Sequence, residues 1–205
     1  MDFEYKKEEE TMGTTLIAVE TKEGIVVGTD SRTSQGSYIS SRSTNKISTI
    51  SDHIVGLRSG IASQSQAIFD IVKMLDEEPI LVYNVAQYTR KFAYNYRDQM
   101  TFSIIVAGYD EEKFGQIYAV TIGGYSIRQK IYITGSGSTF LYGYMDKNFK
   151  EGMTNEEAVE LVTNAVCLAK RRDAMSGGCI NLAIIDKNGT IHKTIRPDMP
   201  DHPKI

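Results

Sequence analysis

Apolar positions along the chain fall into two kinds of pattern, and the first predicts strands. Apolar runs predict strands at residues 15–21 and 25–30. The two strands are expected to form a hairpin with Lys22-Glu23-Gly24 as its turn. Leu16 to Val19 is apolar at every position, so this strand is expected to be covered on both faces. Further runs predict strands at 46–50, 54–59, 102–109, 116–120, 126–133, 180–186 and 190–195.

The second pattern, apolar residues recurring every three or four positions, predicts helices. The first helix carries its stripe up to Leu75 and ends near Glu78-Pro79, and the second carries a stripe from Val85 to Tyr96. The third covers 154–172 and begins with the capping-box sequence Thr154-Asn155-Glu156-Glu157. The order of elements predicts an α+β fold in one domain, a four-layer αββα sandwich of two antiparallel sheets flanked by helices.

Composition and charge narrow the possible function classes. The 205 residues are 41% hydrophobic and 24% charged, which is typical of a globular chain. The formal net charge of −3 equals that of residues 1–13, which hold five acidic and two basic side chains, so the rest is neutral. A neutral body offers no basic surface for nucleic acid, and no stretch approaches the roughly 18 apolar residues of a membrane span. We therefore expect neither a nucleic-acid nor a membrane partner.

The chain has only two cysteines and three histidines, which argues against a metal site or a histidine-based catalytic triad. Cys167 and Cys179 are too few for a disulfide scaffold and wrongly spaced for zinc, so both are expected to be core residues. No sequence pattern links His53, His192 or His202 to a nucleophile, which argues against a Ser-His-Asp triad. Gly-Ser-Gly-Ser at 135–138 lacks the lysine of a phosphate-binding loop. No metal or cofactor is predicted.

The stretch Gly13-Thr14-Thr15 offers a chemistry that needs no histidine. Glycine removes all side-chain bulk just before a hydroxyl residue, where the acidic leader meets the first strand. If the Gly13–Thr14 bond is cut, Thr14 carries both a hydroxyl and a free α-amine, whose ordinary pKa of about 7.7–8.0 suits a base. The simpler interpretation of the same residues is a flexible hinge before an ordinary strand.

Several short motifs, in a fixed order and spacing, decide between these interpretations. The motifs are Gly13-Thr14-Thr15, Gly28-Thr29-Asp30-Ser31-Arg32, Thr44-Asn45-Lys46-Ile47, Arg58-Ser59-Gly60, Gly135-Ser136-Gly137-Ser138, Tyr142-Gly143-Tyr144 and Arg172-Asp173-Ala174-Met175-Ser176-Gly177-Gly178. With them the chain resembles catalytic beta subunits of the 20S proteasome, in the N-terminal-nucleophile hydrolase superfamily, from Thr14 to the last strand. The resemblance implies a threonine endopeptidase in which residues 1–13 are a propeptide removed by self-cleavage and 14–205 are the mature domain.

The resemblance implies a role for each matching side chain. Thr14 would be the nucleophile, Lys46 the charge that lowers the pKa of its amine and hydroxyl, and Asp30 the carboxylate that orients Lys46. The N–H of Gly60 would be the oxyanion donor. The groups implied around the terminal threonine are Ser136, Asp173 and Ser176.

Specificity is implied by Arg58, two residues before Gly60, which resembles the basic residue at the base of the caspase-like pocket. A guanidinium can hold a carboxylate by two parallel hydrogen bonds, so cleavage after acidic residues is expected. Segments 37–39 and 135–144 also resemble that type of subunit, and the other implied pocket residues are Thr33, Thr44 and Ala62. Arg58 could instead pair with a carboxylate of a neighbouring subunit.

The resemblance implies partners as well. Members assemble with other alpha and beta subunits in four stacked seven-membered rings, twenty-eight subunits in all, which degrade unfolded polypeptides in the cytoplasm and nucleus. Two alternatives stay open: a non-catalytic structural beta subunit, and an amidohydrolase of the same superfamily. Inactive members usually lack some of Gly13, Thr14, Asp30 and Lys46, which are all present here. An amidohydrolase would not explain Arg58 or the acidic leader.

Overall fold

A computed structural model describes residues 13–35, 38–60, 62–74, 80–98 and 102–203. Residues 1–12 of the predicted leader, Ser37 and the predicted end of the first helix therefore lie outside the described residues. The elements, in chain order, are β1 Leu16–Glu20, β2 Gly24–Asp30, β3 Thr33–Gln35, β4 Tyr38–Ser41, β5 Ile47–Ser51, β6 Ile54–Gly60, α1 Ala62–Val72, α2 Val82–Asn95, β7 Phe102–Asp110, β8 Phe114–Thr121, β9 Tyr125–Arg128, β10 Ile131–Thr134, a 3-10 helix Ser136–Phe140, α3 Tyr142–Asn148, α4 Asn155–Arg172, β11 Ile180–Asp186 and β12 Gly189–Ile195.

Two five-stranded antiparallel sheets form the centre of the molecule. The first has the strand order β10-β1-β2-β11-β12 and the second β5-β6-β7-β8-β9, while β3 and β4 form a separate two-stranded ribbon. Apolar side chains of α3 and α4 pack on the outer face of the first sheet, and those of α1 and α2 on the outer face of the second. A third apolar cluster lies between the sheets. The predicted four-layer αββα sandwich is confirmed.

The layered core explains why β1 is apolar at consecutive positions. Ile17 and Val19 belong to the cluster under α4, whereas Leu16 and Ala18 belong to the cluster between the sheets. All four are fully buried. Because successive strand residues point to opposite faces, a strand covered on both sides must be apolar throughout. The expectation for this strand is confirmed.

One predicted strand was wrong. Residues 126–133 do not form a single strand, because β9 ends at Arg128 and β10 begins at Ile131. The two strands join different sheets: β9 pairs with β8, and β10 pairs with β1. Gln129 and Lys130 thus carry the chain from one layer to the other, although neither residue is a turn former.

The start of α4 is capped as the sequence predicts, whereas the start of α2 is capped by a residue distant in the sequence. The capping box of α4 is present, with Thr154 accepting from the Glu157 N–H and the Glu157 carboxylate accepting from the Thr154 N–H. The start of α2 has no side-chain cap of its own, and the carboxylate of Asp110 accepts the Val82 N–H instead. In the described part of the chain, no helix is long and apolar enough to cross a membrane.

Candidate active site

The polar ends of several elements meet at one end of the sandwich. Leu16 at the start of β1 pairs with Thr29 near the end of β2 and with Thr134 at the end of β10. Asp30, which ends β2, pairs with Ile180, which begins β11. Antiparallel pairing therefore places the residue before β1, the end of β2 and the loops around β10 and β11 side by side.

The Gly13–Thr14 peptide bond lies at the centre of this cluster. The Thr14 hydroxyl donates to the Gly13 carbonyl oxygen at 2.7 Å, and Lys46 Nζ donates to the same oxygen at 3.1 Å. Both side chains are fully buried. The predicted nucleophile and the predicted lysine therefore converge on one carbonyl group, that of the bond predicted to be cut.

Lys46 is held in this position by a buried ion pair. Its Nζ lies 2.7 Å from Asp30 Oδ1, and neither side chain is exposed to solvent. Asp30 also accepts the Thr15 N–H at 3.0 Å, the Arg32 N–H at 3.1 Å and the Gly177 N–H at 2.9 Å. Burial lowers the pKa of Lys46 below its usual value, and the contact with Asp30 opposes that shift. The carboxylate is thus fixed by three backbone donors and can orient the lysine.

A second carboxylate, Asp173, organises the other side of Thr14. Ser136 Oγ accepts the Thr14 N–H at 3.1 Å and donates to Asp173 Oδ2 at 2.7 Å. Ser176 Oγ donates to the same Asp173 oxygen at 2.6 Å, and the Met175 N–H donates to Oδ1 at 3.0 Å. The structure thus brings Ser136, Asp173 and Ser176 together next to the atom that becomes an amine if the bond is cut.

The need for glycine at position 13 has a steric cause that the sequence did not reveal. A Cβ built on Gly13 would lie 2.0 Å from Met175 Cβ and 2.9 Å from the Met175 carbonyl oxygen. Both distances are far below normal contact. Gly13 therefore allows the chain before Thr14 to pass directly against the loop that carries Asp173 and Ser176.

Arg58 lies next to the site, on β6, where its N–H donates to the Lys46 carbonyl at 3.2 Å. Its half-buried guanidinium donates to Gln66 Oε1 at 2.6 Å and to the Asn45 carbonyl at 3.4 Å. Arg58 Nε is buried with no hydrogen-bond partner among the described residues. Partial burial lowers the pKa of Arg58, and the charge of Asp70 opposes this. The guanidinium therefore has donor capacity left for a ligand carboxylate.

The remaining predicted residues surround this centre. Gly60 ends β6 with a φ of +100°, in the region that favours glycine. The Thr33 hydroxyl donates to the Thr44 hydroxyl at 2.8 Å, and the Thr44 N–H donates to the Ser31 carbonyl. Ala62 is the first residue of α1. The oxyanion role of Gly60 and the pocket roles of Thr33, Thr44 and Ala62 stay predictions.

The side chains of Gln66 and Thr15 make direct contacts in the site that were not predicted from the sequence. Gln66 receives the shortest hydrogen bond of Arg58 and itself donates to Asp70 Oδ1 at 2.8 Å. Thr15 joins the two carboxylate groups, since its N–H donates to Asp30 and its hydroxyl lies 2.8 Å from Ser176 Oγ. Thr15 stands inside the Gly-Thr-Thr motif, so a second buried hydroxyl after the nucleophile was the available signal.

Comparison with known proteins shows which sequences this chain resembles. The family model described as "Proteasome subunit" matches residues 10–185. The chain is 40% identical over 196 residues, 92% of its length, to a probable proteasome subunit beta type-1 from Schizosaccharomyces pombe, of which 86% is covered. It is 43% identical over 192 residues to proteasome subunit beta type-6 from Dictyostelium discoideum, covering 90% of the chain and 89% of the relative. It is also 43% identical over 193 residues to proteasome subunit beta type-9 from Bos taurus, covering 91% and 88%.

Proposed function

The chain belongs to the proteasome subunit family, and on this premise we propose that it is a threonine-type endopeptidase subunit of the proteasome core. Its nucleophile is Thr14, which becomes the first residue when the Gly13–Thr14 bond is cut. Membership implies assembly with other proteasome subunits. The proposal adds a stacked four-ring particle with unfolded polypeptides as substrates.

One observation carries this proposal. Lys46 Nζ, fully buried, donates both to Asp30 and to the carbonyl oxygen of Gly13, and the Thr14 hydroxyl lies beside that same oxygen. A lysine is expensive to bury, even when paired, without a function that needs its charge. A nucleophile and a polarising charge at one peptide bond favour chemistry at that bond over a structural hinge.

Self-cleavage follows from these contacts. Lys46 draws electron density from the Gly13 carbonyl, and Thr14 Oγ attacks the carbonyl carbon through a five-membered ring. The carbon–nitrogen bond then breaks, the hydroxyl proton ends on the new amine, and Gly13 is left as an ester on Thr14. Water hydrolyses that ester. The leader departs with a carboxylate at Gly13, and Thr14 keeps both a free hydroxyl and a free amine.

Peptide hydrolysis reuses the same groups. The Thr14 amine serves as the base for its own hydroxyl, and the nearby charge of Lys46 disfavours protonation of that amine. Ser136 Oγ, 3.1 Å from the Thr14 nitrogen and 2.7 Å from Asp173, is placed to pass a proton to and from the amine. The N–H of Gly60 is the proposed donor to the oxyanion. The substrate is attacked, held as an ester and released by water, as the leader was.

Preference for acidic residues before the scissile bond is part of the proposal. Arg58 supports it, since it lies on the strand next to Lys46, its guanidinium is half-buried, and each terminal nitrogen makes one hydrogen bond, to Gln66 or Asn45. A carboxylate side chain entering this pocket would bind the N–H groups that the terminal nitrogens have left and would neutralise the charge. We place the assembled enzyme in the cytoplasm and nucleus, which imaging of a fluorescent carboxyl-terminal fusion would test.

The direct test replaces Thr14 in assembled particles whose other catalytic subunits are inactivated. Thr14→Ala is expected to abolish hydrolysis of a fluorogenic peptide ending in glutamate, because the nucleophile is gone. Thr14→Ser keeps a hydroxyl and an amine and is expected to retain measurable turnover, which makes it the matched control. Hydrolysis by Thr14→Ala particles at the wild-type rate would refute the proposal. Absence of hydrolysis with Thr14 intact would refute it too and support the second candidate, a structural beta subunit without activity of its own.

A further inference from the structure

Thr15, the residue after the proposed nucleophile, contacts both carboxylate systems of the site. We propose that Thr15 is a positioning residue for the reaction: its hydroxyl fixes the direction of the hydrogen-bond chain through Ser176 and Asp173 to the Thr14 nitrogen. The inference rests on the proposed function and deepens it, because it names how the proton relay next to Thr14 is held in one orientation.

The direction of the chain follows from counting hydroxyl protons. A hydroxyl has one proton to donate, and Ser176 gives its proton to Asp173 Oδ2 at 2.6 Å. The 2.8 Å contact between Thr15 Oγ1 and Ser176 Oγ must therefore be donated by Thr15. On the other side, Ser136 donates to the same Asp173 oxygen and accepts from the Thr14 N–H. Thr15 is thus the outermost donor of a chain that ends at the Thr14 nitrogen.

Burial leaves no substitute for the Thr15 hydroxyl. Thr15 and Ser176 are both fully buried. A Cβ built on Gly137 would lie 2.1 Å from Thr15 Oγ1 and 3.2 Å from Ser176 Oγ, so the hydroxyl pair packs directly against the Gly137 backbone. Water cannot replace a donor lost from such a closed place, and Ser176 would keep an unsatisfied lone pair.

Loss of this donor changes the orientation of the relay. With Thr15 donating, Ser176 donates its only hydrogen bond to Asp173, and the same Asp173 oxygen also accepts a hydrogen bond from Ser136. Ser136 then presents a lone pair to the Thr14 nitrogen. Without the Thr15 hydroxyl, Ser176 is held only by its hydrogen bond to Asp173, and the geometry at Asp173 and Ser136 loosens. The chemical step should suffer, while substrate binding around Arg58 should not.

The experiment compares Thr15→Val, which removes the hydroxyl at nearly constant shape, with Thr15→Ser, which keeps it. Assembled particles carry the subunit without its leader, from a ubiquitin fusion whose removal exposes Thr14, so that turnover is measured apart from self-cleavage. We expect Thr15→Val to lower kcat about tenfold, the effect of one buried hydrogen bond, with KM little changed. Thr15→Ser should restore most of the rate.

Two further variants make the result specific. Thr163→Val is the matched control, because Thr163 is a buried threonine whose Oγ1 has no partner among the described residues, and its turnover should equal wild type. In a Ser176→Ala background, Thr15→Val should cause little additional loss, since Thr15 acts through Ser176.

Three outcomes would overturn the inference: wild-type kcat in Thr15→Val, equal loss in Thr15→Ser and Thr15→Val, or fully additive losses with Ser176→Ala. If Thr15→Val does not assemble, the Thr15→Ser comparison still decides whether the hydroxyl or the methyl group matters. Failure of the proposed function is recognised separately. Hydrolysis that survives Thr14→Ala would remove that function and this inference together, whereas an inactive Thr14→Ala beside a fully active Thr15→Val would remove the inference alone.

Discussion

Replacing Lys46 by methionine tests the buried ion pair that the proposed mechanism depends on. Methionine keeps the length and most of the volume of the side chain but removes the charge and its hydrogen bonds to Asp30 and the Gly13 carbonyl. Both self-cleavage and peptide hydrolysis should fall, because the carbonyl loses its polarising donor and the Thr14 amine loses the charge that keeps it deprotonated.

The expected size of the loss comes from the burial of the contact. A preorganised donor to a developing oxyanion typically contributes about a hundredfold to a thousandfold in rate, which is about 2.7–4 kcal/mol. The Lys46 donor is charged and fully buried, so we expect at least a hundredfold. Breaking a buried ion pair also lowers the free energy of unfolding by about 3–5 kcal/mol. Asp30 keeps three backbone N–H donors, so we expect the lower end of that range.

The assay must separate these two effects. Incorporation of the variant into particles is measured by native electrophoresis, loss of residues 1–13 by intact mass, and turnover per incorporated subunit with a fluorogenic peptide ending in glutamate. Lys130→Met is the control, since Lys130 forms an ion pair with Glu151 of nearly the same length, 2.6 Å, but with both side chains exposed. Exposed pairs contribute little, so this variant should behave as wild type.

A Lys46→Met particle that removes its leader and turns over at nearly the wild-type rate would contradict the role assigned to Lys46. Equal losses in the Lys46 and Lys130 variants would also count against it, because burial would then not be the deciding difference between the two pairs.

Three further substitutions test individual residues: Gly13, Arg58 and Asp110. Gly13→Ala should slow leader removal strongly, seen as retained mass in a time course, because the added methyl group meets Met175; normal processing would contradict the steric account. Arg58→Met should lower kcat/KM for acidic peptides about thirtyfold, which corresponds to about 2 kcal/mol, and should favour apolar peptides. An unchanged ranking of the peptides would show that Arg58 does not line the pocket. Asp110→Ala should lower the free energy of unfolding by at least about 1 kcal/mol, because the Val82 N–H loses its cap and Lys113 and Gln116 lose an acceptor. An unchanged melting temperature would contradict this.

Local physics made much of the fold predictable. The apolar run of β1 required cover on both faces, and the structure supplies α4 on one side and the second sheet on the other. The start of α4 was readable because a capping box is a local contact between residues three positions apart. An apolar run and a capping box are both formed by residues close together in the chain, so both can be recognised from the sequence alone.

Long-range pairing was not predictable in the same way. Residues 126–133 were predicted as one strand, yet β9 and β10 pair with strands of different sheets. The sequence pattern describes which face of a strand is buried but not which partner lies beside it. The cap of α2 by Asp110 was invisible for the same reason, since it joins a helix to the end of β7.

The candidate site, too, was predictable only in part from the sequence. Thr14, Asp30, Lys46 and Asp173 were found by resemblance of short motifs, because no spacing rule places four distant segments around one peptide bond. Their convergence on the Gly13 carbonyl and the Thr14 nitrogen is visible only in three dimensions. Thr15 was missed because its contribution depends on the direction of one hydroxyl.

The central claim is that Thr14 cuts the bond before itself and then acts as the nucleophile. The most direct measurement is the intact mass and amino-terminal sequence of this subunit from assembled, active particles, in wild type and in Thr14→Ala. We predict that the wild-type subunit begins at Thr14 and that the variant keeps its Gly13–Ala bond. A wild-type subunit that retains residues 1–13 in active particles, or a Thr14→Ala subunit cut at the same bond, would contradict the account.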